Sequence, residues 1–191
     1  MKRLIIVFML FFCSVSSASE ISVRGGWLHT PNSNYDDALT FAARAEQPIY
    51  QGFSLGVEGA YHGSQAHDPY GDISGYSVLG ELIYNLPEWY VKPYVFGGLG
   101  WAWWSFDRSQ DMIDKQIDIS LGNSFAKKVG IGANYEINSR WSINLEWHYF
   151  QSHVPKDSFD NTTGSFANVV TDEKTIGQEE TNLLVGLRYK F

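Results

Sequence analysis

The sequence predicts an all-β protein, an eight-stranded antiparallel up-and-down transmembrane β-barrel. Three observations point there. Leu183, Val185, Leu187, Tyr189 and Phe191 form one apolar row, opposed by a mostly polar row of Asn182, Gly186, Arg188 and Lys190. That is a period-2 strand with one greasy face, ending on an aromatic. Connections between strand-like segments alternate short and long, as tight turns on one rim and larger loops on the other require. Aromatics are abundant, with 7 Trp, 11 Tyr and 12 Phe, which suits girdles at two membrane boundaries.

The N-terminus fits this class. Met1-Lys2-Arg3 is basic, Leu4 to Cys13 is an apolar run, and Ser14 to Ala18 is small, with Ser16 and Ala18 placed for cleavage. Residues 1–18 read as a secretory signal peptide, too short for a good transmembrane helix. Residues 19–191 then form one barrel domain. Phe12 stands where a lipobox needs a small residue, so Cys13 leaves with the leader and the remaining chain has no thiol chemistry. Loss of Lys2 and Arg3 takes the formal charge from −7 to about −9, an acidic balance that argues against nucleic acid as a partner.

The strands follow in order. The first runs from about Ile21 to Leu28, with Ile21, Val23, Gly25 and Trp27 on one face. The second, Ala38 to Glu46, sets Leu39, Phe41, Ala43 and Ala45 against Thr40, Ala42, Arg44 and Glu46. The third, Phe53 to His62, sets Phe53, Leu55, Val57 and Tyr61 against Ser54, Glu58 and His62. The fourth, Gly75 to Asn85, sets Tyr76, Val78, Leu82 and Tyr84 against Glu81. The fifth, Val91 to Phe106, alternates in either parity; one of them sends Val95, Leu99 and Trp101 to lipid, and Pro93 suits only a strand start. The sixth, Ser124 to Glu136, sets Val129, Ile131 and Tyr135 against Lys128 and Glu136. The seventh, Trp141 to Gln151, sets Trp141, Ile143, Leu145, Trp147 and Tyr149 against Glu146 and His148. The eighth closes the chain.

Short connections fall at Gln47–Gly52, Leu86–Tyr90 and Ile137–Arg140, and long ones at His29–Asp37, Gly63–Ser74, Asp107–Asn123 and Ser152–Gln178. The greasy rows begin and end in aromatics, and eight residues at about 3.3 Å, tilted by about 45°, span roughly 19 Å, within a hydrocarbon band. A soluble lipocalin-type barrel alternates with the same period, and alternation alone does not tell inside from outside. The charges favour lipid outside, because Arg24, Arg44, Glu46, Glu58, Glu81, Lys128, Glu136, Glu146, Arg188 and Lys190 each lie opposite their strand's greasy row.

An eight-stranded barrel is filled by its own side chains, and charges within it must pair. Arg24, Arg44, Glu58, Glu81, Glu146 and Arg188 are therefore expected to form an interior charge network. Opposing Glu46 with Ser54 sets Arg44 diagonally beside Glu58. Barrel closure sets Arg24 beside Arg188, with Glu146 as the nearest acid. The histidines His29, His62, His67, His148 and His153 show no tight metal-ligand spacing, even with Asp68 beside His67, so no metal or cofactor is implied. The last loop carries Asp157, Asp160, Asp172 and Glu173 with Phe159 and Phe166, and reads as solvated.

Three stretches carry a resemblance: Lys92-Pro93-Tyr94-Val95-Phe96-Gly97-Gly98-Leu99-Gly100, Trp141 to Phe150, and Leu184 to Phe191. Together they resemble the small outer-membrane β-barrel proteins related to the OmpA barrel domain and to OmpX. The resemblance implies the outer membrane of a Gram-negative bacterium, with periplasmic termini and outer-membrane lipid and lipopolysaccharide as surroundings. It also implies that Val185, Leu187, Tyr189 and Phe191 act as the insertion signal read by the barrel-assembly machinery. The chain is more distantly similar to the lipid A deacylase barrels, which carry a Lys-Pro-aromatic strand and a His-x-Ser-Asn segment. His148 matches that segment's histidine, but Phe150 replaces the nucleophilic serine and Gln151 the asparagine. Ser152 lies four residues from His148, roughly 13 Å along a strand and out of hydrogen-bond reach.

The expected function is a non-enzymatic structural or surface-interaction role, with a surface ligand bound through the loops. The alternatives are an envelope lipid A or phospholipid acyl hydrolase using His148 and a narrow channel for small apolar solutes.

Overall fold

The computed structural model describes residues 19–31, 37–67, 71–86, 90–108, 123–153 and 177–191. They form β1 Glu20–His29, β2 Ala38–Tyr50, β3 Phe53–His67, β4 Gly71–Asn85, β5 Val91–Arg108, β6 Asn123–Glu136, β7 Trp141–His153 and β8 Gly177–Lys190. Each strand pairs antiparallel with the next, and β8 pairs with β1 to close the barrel. This is the predicted architecture. The expected leader, including Cys13, and the acidic and aromatic residues of the last loop lie outside the described residues.

The period-2 pattern sorts the faces. On β7, Ile143, Leu145 and Trp147 point outward, while Asn144, Glu146, His148 and Phe150 are buried inside. On β5, Val95, Leu99 and Trp101 are outside and Tyr94, Phe96, Ala102 and Trp104 inside. Aromatic pairs ring both rims. Trp141 stacks on Tyr189 (4.8 Å) and Phe53 on Tyr84 (4.7 Å) near the short turns, and Tyr61 on Tyr76 (5.1 Å) toward the long loops.

Four expectations need correction. Pro93 is the third residue of β5, not its start. Its carbonyl accepts from Leu86 N–H at 2.9 Å, so its nitrogen faces the same neighbour, beyond the last residue of β4, and its missing N–H breaks no ladder bond. The Gly63–Ser74 loop is largely strand: β3 and β4 pair out to His67↔Gly71, with one irregularity between His62 and Gln65. Asp107, Ser152 and Gln178 likewise lie within strands, because backbone pairing continues above the greasy band without apolar side chains.

The third correction is the β2–β3 register. Gln51 (φ 33°) and Gly52 (φ 87°) both take the left-handed conformation, the signature of a two-residue hairpin turn matched to strand twist. Tyr50 therefore pairs with Phe53, an irregularity follows at Pro48, and Glu46 faces Gly56 instead of Ser54. Arg44 then stands directly opposite Glu58, not diagonal to it. The fourth is barrel closure, which pairs Arg24 with Gly186 and Arg188 with Ser22, so the two arginines lie at different levels.

Candidate functional site

The alternation sends one side chain in two from every strand into the lumen, where they sort into three layers. The central layer is ionic. Glu146, at 0% exposure, receives at Oε2 hydrogen bonds from Arg24 Nη1, from Arg44 Nη2 at 2.9 Å and from Tyr94 Oη at 2.9 Å. Its Oε1 accepts from His148 Nδ1 at 3.1 Å. Glu58 binds Arg24 Nη2 through one oxygen and Lys128 Nζ, at 2.5 Å, through the other. Glu81 lies 2.5 Å from both Arg44 Nε and Lys128 Nζ. Three cations thus meet three carboxylates, and the cluster is formally neutral. Phe96 sits against it, its ring centroid 4.8 Å from the Arg44 guanidinium carbon and 5.0 Å from Lys128 Nζ, a desolvated cation–π geometry.

Glycines let these groups reach each other. Tyr94, Gly132 and Glu146 lie in one register row across β5, β6 and β7. A Cβ on Gly132 would run into the Tyr94 ring, so glycine there lets the phenol cross a whole strand to the carboxylate. Gly98 serves Glu81 and Lys128 in the same way, with a Cβ there falling 2.9 Å from Glu81 Cγ.

Of the residues expected in the network, Arg24, Arg44, Glu58, Glu81 and Glu146 come together. Arg188 does not join them: it binds Glu20 and, at 3.0 Å, Glu46 in a separate layer near the short turns. Sequence reasoning left Lys128 and Tyr94 outside the cluster. Lys128 had the right parity, but its partners depend on register. Of the residues proposed as an insertion signal, Val185, Leu187 and Phe191 are exposed on the outer wall, and Tyr189 packs between Trp141 and Phe191.

The third layer, toward the long loops, is mostly aromatic and aliphatic, with Leu79, Trp104, Ala126 and Phe150 buried together. Within it His62 Nδ1 lies 2.7 Å from Glu180 Oε2, and His62 Nε2 lies 2.9 Å from Ser77 Oγ. The carboxylate can only accept, so Nδ1 carries a proton, and in the neutral imidazole Nε2 then accepts from the hydroxyl. A carboxylate orienting a histidine that takes a serine proton is the arrangement of an activated nucleophile. Here all three residues are buried, and the Phe150 and Trp104 rings stand 4.7 and 5.3 Å from the imidazole. His148, the histidine singled out by sequence, sits on Glu146, and the Ser152 hydroxyl is held by Trp104 Nε1 at 3.0 Å. Among the described residues no cluster of His, Cys, Asp and Glu is placed to hold a metal.

The family model described as outer membrane protein beta-barrel domain matches residues 5–191. Among solved structures, the chain is similar to Neisserial surface protein A (18% identity, TM-score 0.62), covering 90% of this chain and 96% of that one. It is similar to the outer membrane protein OprG from Pseudomonas aeruginosa (12%, TM-score 0.59), with 92% and 97% covered. It is also similar to a major outer membrane protein from Thermus thermophilus (13%, TM-score 0.54), with 90% and 99% covered. At these identities the likeness concerns the fold. No curated protein matches the sequence.

Proposed function

Because the chain belongs to the outer membrane protein beta-barrel domain family, we propose that it is an integral outer-membrane protein with periplasmic termini and a non-enzymatic role, structural or in surface interaction, carried by its extracellular loops. The observation that supports this reading best is the filled lumen. The cluster of Arg24, Arg44 and Lys128 with Glu58, Glu81 and Glu146 crosses the barrel, and the Trp104–Phe150 layer stands above it. Among the described residues such a brace argues against a continuous path for a solute and favours rims and loops as the acting parts. Lipid and lipopolysaccharide would surround its wall, and the outward row of β8 would be read by the barrel-assembly machinery. The test is solute uptake and single-channel recording in proteoliposomes holding heat-modifiable, folded protein. Silent bilayers are expected, whereas discrete conductance or uptake of small apolar solutes would overturn the reading in favour of a channel.

A second reading, an acyl hydrolase, is favoured by the Ser77–His62–Glu180 geometry more than by His148. A fluorophosphonate probe decides between them. Labelling that disappears in Ser77→Ala, or acyl chains released from lipid A by wild type and not by His62→Ala, would replace the leading reading.

A further inference from the structure

A groove of about 950 Å³ crosses the outside of the wall from β3 to β7. Leu55 and Val57 line its lower end, Gly80 and Gly97 its floor, and Lys127 and Gln151 its upper end. It follows the register row Val57↔Gly80↔Leu99↔Lys127↔Gln151. Those four inter-strand steps cover roughly 19 Å at about 4.8 Å each. Val57 lies near the short-turn end of β3 and Gln151 near the long-loop end of β7, so the groove climbs. On strands tilted by about 45° the climb is roughly 13 Å, close to half of an approximately 30 Å hydrocarbon core. The groove therefore has the depth of one leaflet.

The floor is open for no backbone reason. A Cβ on Gly97 would meet nothing nearer than the Lys128 carbonyl, at 3.7 Å, and one on Gly80 nothing nearer than the Leu99 carbonyl, at 4.0 Å. Neither glycine has a positive φ. Glycine weakens a strand interior, and here its effect is to leave a trough between the flanking leucines. The upper end differs chemically. Lys127 is exposed, interrupts the apolar outer row of β6 between Phe125 and Val129, and makes no ion pair with any described residue. Gln151 beside it is engaged, donating through Nε2 to Glu179 at 2.8 Å. A basic residue on the lipid face is costly at the midplane and tolerated near an interface, where it meets headgroups.

We propose that this groove seats an acyl chain of a phosphate-bearing lipid of the external leaflet, lipid A, with Lys127 Nζ on its phosphate. The chain descends over Gly97 and Gly80 toward Leu55, and charge complementarity at the top selects an anionic head. The assignment to the external leaflet rests on the membrane orientation proposed above.

The test is native mass spectrometry of the full folded chain released from detergent micelles. The added lipids are lipid A, dephosphorylated lipid A and phosphatidylglycerol, and a gel shift verifies the fold of every variant. One retained lipid A is expected. Lys127→Gln should lower retention about fivefold, the effect of one interfacial charge, to the level of dephosphorylated lipid A. Gly97→Leu, which fills the floor, should abolish retention of both. Equal retention by wild type and both variants would overturn the site, and phosphatidylglycerol held as well as lipid A would overturn the assigned occupant. A cysteine introduced within residues 154–176 and labelled on intact cells tests the orientation separately. Its failure to label would remove the leaflet assignment while leaving micelle binding intact.

Discussion

Replacing Glu146 by Gln is the sharpest probe of the lumen. The amide matches the carboxylate in shape, so packing is conserved and charge is what changes. In the native cluster Glu146 Oε2 accepts from two guanidiniums and a phenol. With Gln there, three cations face two carboxylates, and the amide can turn its own N–H groups toward Arg24 and Arg44. Breaking a buried, hydrogen-bonded pair on one side costs about 3–5 kcal/mol, a large share of the roughly 5–15 kcal/mol that holds a typical domain. The assay is urea unfolding in lipid vesicles, followed by tryptophan fluorescence and by the heat-modifiable gel shift. The double variant Arg24→Gln/Glu146→Gln restores charge balance and should recover about 0.5–3 kcal/mol relative to the sum of the singles. A loss below about 1 kcal/mol for Glu146→Gln, with additive singles, would refute the reasoning, since it would mean that water already screens the cluster.

Three further outcomes are expected. Asn182 is fully buried with neither amide atom hydrogen-bonded among the described residues, so Asn182→Leu should be neutral or raise stability by about 1–3 kcal/mol in the same unfolding assay. Gln51 holds a φ of 33° in a turn that suits asparagine, and Gln51→Asn should stabilise by about 0.5 kcal/mol, with a lower urea midpoint counting against the turn assignment. Leu145 faces outward in mid-strand on β7 at 50% exposure. Leu145→Arg should destabilise by about 2–4 kcal/mol in vesicles if that face meets lipid, and an unchanged midpoint would place it in water.

The sequence carried the faces and not the partners, for a physical reason. Parity follows from the two-residue period, so Arg24, Glu58, Glu81 and Glu146 could be assigned to the interior without knowing what stood beside them. Which strand levels meet is decided by turns and closure. The left-handed Gln51–Gly52 pair carries no Asn-Gly signal, so the six-residue segment Gln47–Gly52 reads as a short connection whose turn residues are not marked. Arg188 was misassigned because closure sets it at the level of Ser22, two residues from Arg24. Ser77, His62 and Glu180 lie on three strands, each of which extends into a segment whose polarity reads as loop; only the three-dimensional register brings them together.

The lipid cannot distinguish the pairing in which Glu46 faces Ser54 from the one in which it faces Gly56, because both keep Leu55 and Val57 outside. The interior can. Sliding β3 by two residues carries the Glu58 carboxylate about 6.6 Å along the strand, away from Arg24 and Lys128. The result is an acid without its partners and two bases each short of a carboxylate, Arg24 keeping Glu146 and Lys128 keeping Glu81, in a buried space. The central ions therefore discriminate between registers that the membrane face treats alike: a closed wall acceptable to lipid is fully stable only when the six strands that carry these charges sit at the levels where they cancel.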